Sequence, residues 1–295
     1  MGIALLSKGD YSIWVLEYAC APHQIAEAAY SGYAHAGETM YFAFSFILVQ
    51  GEGRNILIDC GINFESTVKQ DLATGFNVKN WNSPTEVLAK VGLSPEDIDV
   101  IIPTHAHWDH MGSLELFPNA DVYLQRAELD GWESLLSGSD EYKALLSAVD
   151  SADITFAKNL ALEGRLNLLE GEIDNLFPGI HIWVDYNGHS HASQLVLIES
   201  EIDKYIVIGD IAYTMGNLTG VPEYPHFIPN TKWAIGGAYS TMQTYERILN
   251  YAESDLTRIL IEHDAGTWDR HPTKLLPNNL HLTEVRLSSN AHSYL

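Results

Sequence analysis

Residues 104–112 read Thr104-His-Ala-His-Trp-Asp-His-Met-Gly112 and contain three histidines and one aspartate. Imidazole nitrogens and carboxylate oxygens are the ligands that a borderline metal such as Zn²⁺ prefers. A polar loop with incidental histidines is the alternative, but it would need four good ligands to occur together by accident. The stretch therefore predicts a metal site, and side chains this dense on a tight turn can converge on one point or on two adjacent points.

Short apolar segments lead into and away from this stretch. The apolar pattern predicts a strand at 99–103, directly before the histidine motif, and another at 121–125. Further strands are predicted at 12–18, 41–49, 55–59, 180–184, 194–199, 204–208 and 258–261, and helices at 87–91, within 127–162 and at 242–251. The order predicts an α/β fold, an αββα sandwich of two β-sheets with helices on the outer faces. No linker divides the chain, so one domain over 1–295 is expected.

Composition restricts the class of partner. The chain has 295 residues, 46% of them hydrophobic, which is enough for a large core. Its net charge of −23 repels phosphate backbones and anionic membranes, so neither nucleic acid nor a membrane is an expected partner. Cys20 and Cys60 are isolated, and residues 1–10 lack a signal-peptide core and a persuasive myristoylation context. These features predict a cytoplasmic protein.

Three more candidate ligands stand at predicted strand ends. His189 precedes the strand at 194–199, Asp210 follows the strand at 204–208, and His263 follows the strand at 258–261. A residue at a strand end can reach into a cleft lined by loops, where functional sites are often found. Taken singly, each has a simpler interpretation as a hydrogen-bonded histidine or a capping aspartate.

Taken together, the motif His-x-His-x-Asp-His, Gly-His-Ser, Gly-Asp and a late histidine resemble the metallo-β-lactamase superfamily over most of the chain. The resemblance implies two divalent metal ions, with Zn²⁺ as the first choice and Mn²⁺, Fe²⁺ or Co²⁺ as alternatives. It also implies that Asp59, in a variant of the Asp-Thr-Gly motif with Cys60 replacing threonine, orients the site. The implied ligands are His105, His107 and His189 for the first metal, Asp109, His110 and His263 for the second, and Asp210 as the bridge.

Within the superfamily, the run from Asp210 to Tyr213 resembles the N-acyl-homoserine lactonases that quench quorum sensing. That resemblance implies that a metal-bridging hydroxide opens a small neutral lactone, that the Tyr213 hydroxyl reaches the substrate carbonyl, and that Asp109 carries a proton to the leaving oxygen. The chain departs from the family because it lacks the Pro-Gly usually found after Gly-His-Ser/Thr. His191 occupies that region and is predicted to be exposed.

Aromatic and apolar residues near the predicted strand ends are candidates for the substrate pocket, although core packing explains each of them equally simply. They could form apolar walls for an acyl or aromatic appendage, and the long segment 213–233, with three prolines, is a candidate functional loop. The aromatic-rich N-terminal region could also support a homodimer. The pocket candidates are Trp108, Met40, Tyr41, Phe42, Phe64 and Phe227, with Phe76 and Trp233 as further members.

Several other functions use the same kind of site. A thioesterase of the glyoxalase II type, an amidase or a carbamate hydrolase would need the same metals, but the tail after residue 271 is short and not strongly basic. A mononuclear iron dioxygenase is disfavoured because both His110 and His263 are present, and a non-catalytic scaffold is disfavoured by the full ligand set. The absence of Gly-x-Ser-x-Gly argues against an α/β-hydrolase.

Overall fold

The structure is a computed structural model that describes residues 8–289 and 291–295. Within these residues, the N-terminal half and the C-terminal tail form one mixed sheet of eight strands. In spatial order the strands are β12 (Thr273–Leu275), β13 (His281–Arg286), β1 (Ser12–Ile25), β2 (Thr39–Gly51), β3 (Arg54–Ile58), β4 (Val100–Ile102), β5 (Asp121–Gln125) and β6 (Leu166–Leu169). Strands β1 to β3, with β12 and β13, are antiparallel, whereas β3 to β6 run parallel.

The second sheet has five strands in the described part of the chain, and helices cover the outer faces of both sheets. Its spatial order is β11 (Ile259–Leu260), β10 (Lys204–Val207), β9 (Ala192–Glu199), β8 (Ile180–Tyr186) and β7 (Ile173–Phe177). The α-helices are α1 (Ala26–Tyr30), α2 (Thr67–Gly75), α3 (Pro84–Leu88), α4 (Arg126–Leu136), α5 (Ser151–Leu162), α6 (Met215–Thr219), α7 (Ala238–Tyr251) and α8 (Thr267–Arg270).

Side chains along each strand alternate between the space inside the two sheets and the outer, helix-covered face. In β3, Ile56 and Ile58 point between the sheets, while Leu57 points to the outer face of the first sheet. Valine and isoleucine from β1 to β4 meet those from β8 to β10 in the central core. Helices α3, α4 and α5 cover the first sheet, and α6 and α7 cover the second. The predicted αββα sandwich is confirmed.

Local sequence signals explain several boundaries. The β2–β3 hairpin turns at Glu52 and Gly53, which both have positive φ (51° and 73°), as a type I′ turn requires. Ser83 and Glu86 form a capping box at the start of α3. Asp150 caps α5 by accepting a hydrogen bond from the Ala152 amide at 2.9 Å. The predicted helical region 127–162 is therefore two helices, α4 and α5, with a short 3₁₀ segment, Asp140–Leu146, between them.

The sequence patterns missed some elements. Strands β6, β7, β12 and β13 and the helices α1, α2, α6 and α8 have no counterpart among the predicted elements. Strand β13 forms because its backbone pairs with β1, with Thr283 opposite Val15 and Leu282 opposite Leu16, and this long-range pairing leaves little local signal. Among the residues described, no helix combines the length and apolar character needed to cross a membrane. The predictions about a signal peptide and myristoylation fall mainly on residues 1–7, outside the described range.

Candidate metal centre

The predicted ligands meet at one edge of the sandwich because of strand direction. Strands β3 and β4 are parallel, so Asp59 and the histidine motif leave the first sheet at the same edge. Strands β10 and β11 are also parallel, and Asp210 and His263 follow their carboxyl ends. Strand β9 is antiparallel to β10, so His189, which precedes β9, lies at this edge too.

The first ligand group consists of His105, His107, His189 and Asp210, all buried, with ligand atoms within 4.8 Å of one another. Nδ1 of His107 lies 2.9 Å from Nε2 of His105 and 3.1 Å from Nε2 of His189. Oδ2 of Asp210 lies 3.3 Å from His189 Nε2 and 3.8 Å from His105 Nε2. These separations resemble the edges of a tetrahedron around an ion bound at about 2.0–2.1 Å.

The second ligand group consists of Asp109, His110 and His263, together with the other oxygen of Asp210. Asp210 Oδ1 lies 3.2 Å from His110 Nε2 and 3.1 Å from His263 Nε2. Asp109 Oδ2 lies 3.7 Å and 3.5 Å from the same two nitrogens. The two oxygens of Asp210 therefore face different groups, as a bridging carboxylate would.

The donor set fits metal ions. His110 Nε2 and Asp210 Oδ1 are buried and have no hydrogen-bond partner among residues 8–289 and 291–295. Buried polar atoms without a partner are costly, and a cation between them would satisfy both. Asp59, Asp109 and Asp210 are also buried around the His110 ring, which favours bound positive charge.

The histidines differ in protonation. Burial, reinforced by neighbouring imidazoles, lowers the pKa of His105 and His107 well below its ordinary value, so both are neutral and able to bind a metal. Burial also lowers the pKa of His110, but the carboxylates of Asp210, Asp59 and Asp109 outweigh it and raise this pKa well above its ordinary value. The pKa of His263 is raised for a similar reason, chiefly by Asp210.

Asp59 supports the second ligand group. Its Oδ2 accepts hydrogen bonds from His110 Nδ1 at 2.7 Å and from Thr104 Oγ1 at 2.9 Å, and its Oδ1 accepts one from the Thr104 amide at 2.6 Å. A carboxylate on the far nitrogen of a metal-binding histidine holds the ring in the correct tautomer. Asp59 therefore has the geometry predicted for a residue that orients the site.

The model of the metallo-β-lactamase superfamily matches residues 42–263, about three quarters of this chain. The chain belongs to the metallo-β-lactamase superfamily. Together with the His and Asp clusters, this membership makes it a metal-dependent hydrolase of that superfamily.

Relatives point in the same direction. An N-acyl homoserine lactonase from Bacillus sp is 26% identical over 190 residues, covering 61% of this chain and 68% of the relative. The N-acyl homoserine lactonase AiiB of Rhizobium rhizogenes is 25% identical over 234 residues, covering 75% and 79%. The structure of AidC, described as a dizinc quorum-quenching lactonase, superposes with a TM-score of 0.64 at 17% identity, covering 97% of this chain and 99% of AidC. At that identity the superposition speaks for the fold alone.

Tyr213 lies beside both ligand groups of this metallo-β-lactamase-superfamily hydrolase. Its ring packs edge-on against His189 and His263, with centroids 5.7 Å and 5.8 Å apart. Its hydroxyl donates to the backbone carbonyl of Lys232 at 2.9 Å, so the proton is already in use. Burial raises the pKa of the phenol well above its ordinary value, so the group remains a donor at neutral pH.

An aromatic chamber adjoins the ligands. It holds only about 10 Å³ of free space, roughly the volume needed for one water molecule. Of the predicted pocket residues, Phe42, Phe76, Trp108 and Trp233 line it, and sequence reasoning missed Phe44, the next residue on the same face of β2. The full lining is Phe42, Phe44, Phe76, His107, Trp108, Asp109, Ala148, Asp210, Tyr213, Trp233 and His263.

Four predicted pocket residues lie outside the lining of this chamber, so a role for them in a substrate pocket stays a prediction. The Tyr41 hydroxyl donates to Glu17 at 2.7 Å on the opposite side of β2 from Phe42. Phe64 stacks on Trp81. The other two, Met40 and Phe227, belong to the outer cores of the first and second sheets.

His191 is also placed differently from its prediction. The ring is half-buried, and it packs edge-on against Trp132 with centroids 5.0 Å apart. Burial lowers the pKa of His191. Gly131 leaves room for the imidazole, because a Cβ there would lie 2.3 Å from His191 Cγ, so the ring is packed rather than exposed.

Proposed function

We propose that this hydrolase opens the ring of a small neutral lactone, with N-acyl-homoserine lactones as the first class to test. The observation that carries the proposal is the position of Tyr213, three residues after Asp210 and in ring contact with a histidine from each ligand group. The lactonase relatives supply the substrate class. Quorum quenching would follow from that substrate class.

The two ligand groups would hold two divalent ions, with Zn²⁺ as the first choice. Bound there, such ions would lower the pKa of water and polarise the substrate carbonyl. Asp210 would bridge the ions, because its two oxygens face different groups.

We assign Asp109 the proton transfer to the leaving alkoxide. It lines the chamber, and its Oδ2 lies near His110 and His263. With Oδ2 directed toward the second ion, the other carboxylate oxygen would be free to take up and release the proton. The proton taken up from the attacking water would then pass to the ring oxygen as the ester C–O bond breaks.

Tyr213 would donate a hydrogen bond to the developing carbonyl oxyanion once its hydroxyl leaves the Lys232 carbonyl. Lys232 precedes Trp233, whose φ of 61° is unusual for a bulky aromatic residue. The chamber is too small for a lactone, and Phe76 and Trp233 separate it from a larger cavity, so we propose that Trp233 moves when substrate enters. We propose that this movement also withdraws the Lys232 carbonyl and frees the Tyr213 hydroxyl.

A larger cavity of about 720 Å³ lies beyond the contact between Phe76 and Trp233, which belong to both spaces. Ile25, Val68 and Leu72 contribute apolar side chains to its wall. A lactone ring in the chamber could therefore place an apolar acyl or aromatic appendage in this cavity.

Metal analysis and a matched substrate panel test the proposal. Purified protein loaded with Zn²⁺ should contain close to two ions per chain and should release acid from a lactone faster than from a thioester or an amide of the same acyl group. Thioester hydrolysis without lactone opening would replace lactonase by the glyoxalase II type of activity. One iron per chain with oxygen uptake would remove the hydrolase proposal. A cytoplasmic location, a homodimer and a single domain stay predictions.

A further inference from the structure

Glu128 on helix α4 is a buried carboxylate that the proposed chemistry does not use. Its side chain is fully buried and accepts four hydrogen bonds. Oε1 accepts from the Ala106 amide at 2.9 Å, from Trp132 Nε1 at 2.8 Å and from Ser190 Oγ at 2.5 Å. Oε2 accepts from the Ala192 amide at 2.8 Å. A carboxylate with so many donors is held in one position.

Three of these donors, Ala106, Ser190 and Ala192, come from the two segments that carry the first ligand group, whereas Trp132 belongs to α4 itself. Ala106 separates His105 from His107, and Ser190 directly follows His189. The loops are more than 80 residues apart in sequence, and the Glu128 carboxylate joins them directly. Its hydrogen bonds therefore fix the spacing between histidines that would bind one ion.

The first ligand group needs such support from its backbone. His107 Nε2 and His189 Nδ1 are buried without a hydrogen-bond partner in the described part of the chain. Metal-binding histidines usually gain their orientation from a partner on the second ring nitrogen. In place of such a partner, His107 packs against Trp132, with centroids 5.5 Å apart, and Glu128 holds the Trp132 indole.

We propose that Glu128 is a positioning residue that sets the divalent-metal affinity of the first ligand group by holding its two loops together. The inference rests on the proposed dinuclear site and concerns metal binding, so it can be tested without any substrate. It predicts that Glu128 acts on one ion much more than on the other.

Glu128→Gln is the informative variant because it keeps the shape of the side chain. The glutamine oxygen can replace Oε1, but the amide NH₂ then faces the Ala192 N–H, and two donors meet. Glu133→Gln on the same helix is the matched control, since Glu133 is exposed and pairs only with Lys158 in the described residues.

The test measures Co²⁺ and Zn²⁺ affinity by chelator competition in two backgrounds. His263→Ala leaves the first ligand group complete, and His189→Ala leaves the second. Glu128→Gln should weaken binding about 10- to 100-fold in the His263→Ala background, a typical effect for partners of metal ligands, and less than about threefold in the other. It should also change the visible absorption of Co²⁺ in the first background alone.

Equal weakening in both backgrounds would overturn the proposal, because it would assign Glu128 a general role in folding. Unchanged affinity and an unchanged cobalt spectrum would overturn it as well. If either background fails to fold, stepwise Co²⁺ titration of the full ligand set gives the same decision, since only one of the two steps should weaken. A failure to hydrolyse lactones would refute the proposed substrate without affecting these metal measurements.

Discussion

The two ligand groups reach a similar geometry by different means. In the second group the far nitrogens are held: His110 Nδ1 donates to Asp59 at 2.7 Å, and His263 Nδ1 donates to the Ala43 carbonyl at 2.6 Å. In the first group, His107 and His189 have no such partner among the described residues, and the Glu128 carboxylate binds their loops instead. The histidines of the second group are oriented through their rings, whereas two of the three histidines in the first group depend on their backbone.

This difference extends to charge. Carboxylates raise the pKa of His110 and His263, whereas burial and neighbouring imidazoles lower that of His105 and His107. The first group is therefore ready to bind a metal, while the second must lose protons before it can. Ions bound by the two groups, as proposed, should consequently differ in how they respond to mutation and to pH.

The largest effect is expected for the residue that the two ligand groups share. Asp210 belongs to both groups, so Asp210→Ala should release both ions and reduce hydrolysis at least about 10³-fold, as loss of electrostatic stabilisation at this level does. Metal analysis and initial rates measure this. Asp140→Ala, the same change at an exposed aspartate, is the control. Retention of both ions would refute the bridging role.

Tyr213→Phe should reduce turnover about 10²-fold while both ions stay bound, because it removes one oxyanion donor and no metal ligand. The phenyl ring keeps the contacts to His189 and His263, so neither group should lose its geometry. Steady-state kinetics with metal analysis of the same sample measure both properties. Unchanged kcat would exclude the hydroxyl from the reaction.

Asp59→Asn should lower the metal affinity of the second group more than that of the first. It weakens the hydrogen bond to His110, so the ion in the second group should bind about 10- to 100-fold more weakly and the first ion should change less. The same stepwise cobalt titration measures both affinities. If the affinity of the first group falls as much, the main effect of Asp59 runs through its hydrogen bond with Thr104 to His105.

The smallest expected effect is a graded one with pH. Because their pKa is raised, His110 and His263 carry protons in the metal-free protein, and metal binding must displace them. As pH falls, the second ion should therefore leave before the first. Metal content after dialysis over a pH series, with protein folding followed by circular dichroism, measures this. Simultaneous loss of both ions would show that the two groups titrate as one.

The sequence could predict the chemistry of the site because each ligand lies at a strand end that can be recognised locally. The motif at 105–110 is contiguous, and His189, Asp210 and His263 each adjoin an apolar strand. Glu128 could not be recognised, since it appears as an ordinary charged residue on a helix. Three of its four donors reach it only after helix α4 packs against two distant segments of the chain.

The lining of the aromatic chamber is a feature that only the tertiary structure decided. Tyr41 and Phe42 are neighbours in β2, yet Phe42 faces the aromatic chamber and Tyr41 faces Glu17. Successive side chains of a strand point to opposite faces, so the pairing of β2 with β1 and β3 decides which of them can meet a substrate. The sequence by itself determined the αββα layers and the metal-binding residues, because periodicity and ligand chemistry are local properties. Strand register and loop packing determined the rest, because they depend on contacts between residues far apart in the chain.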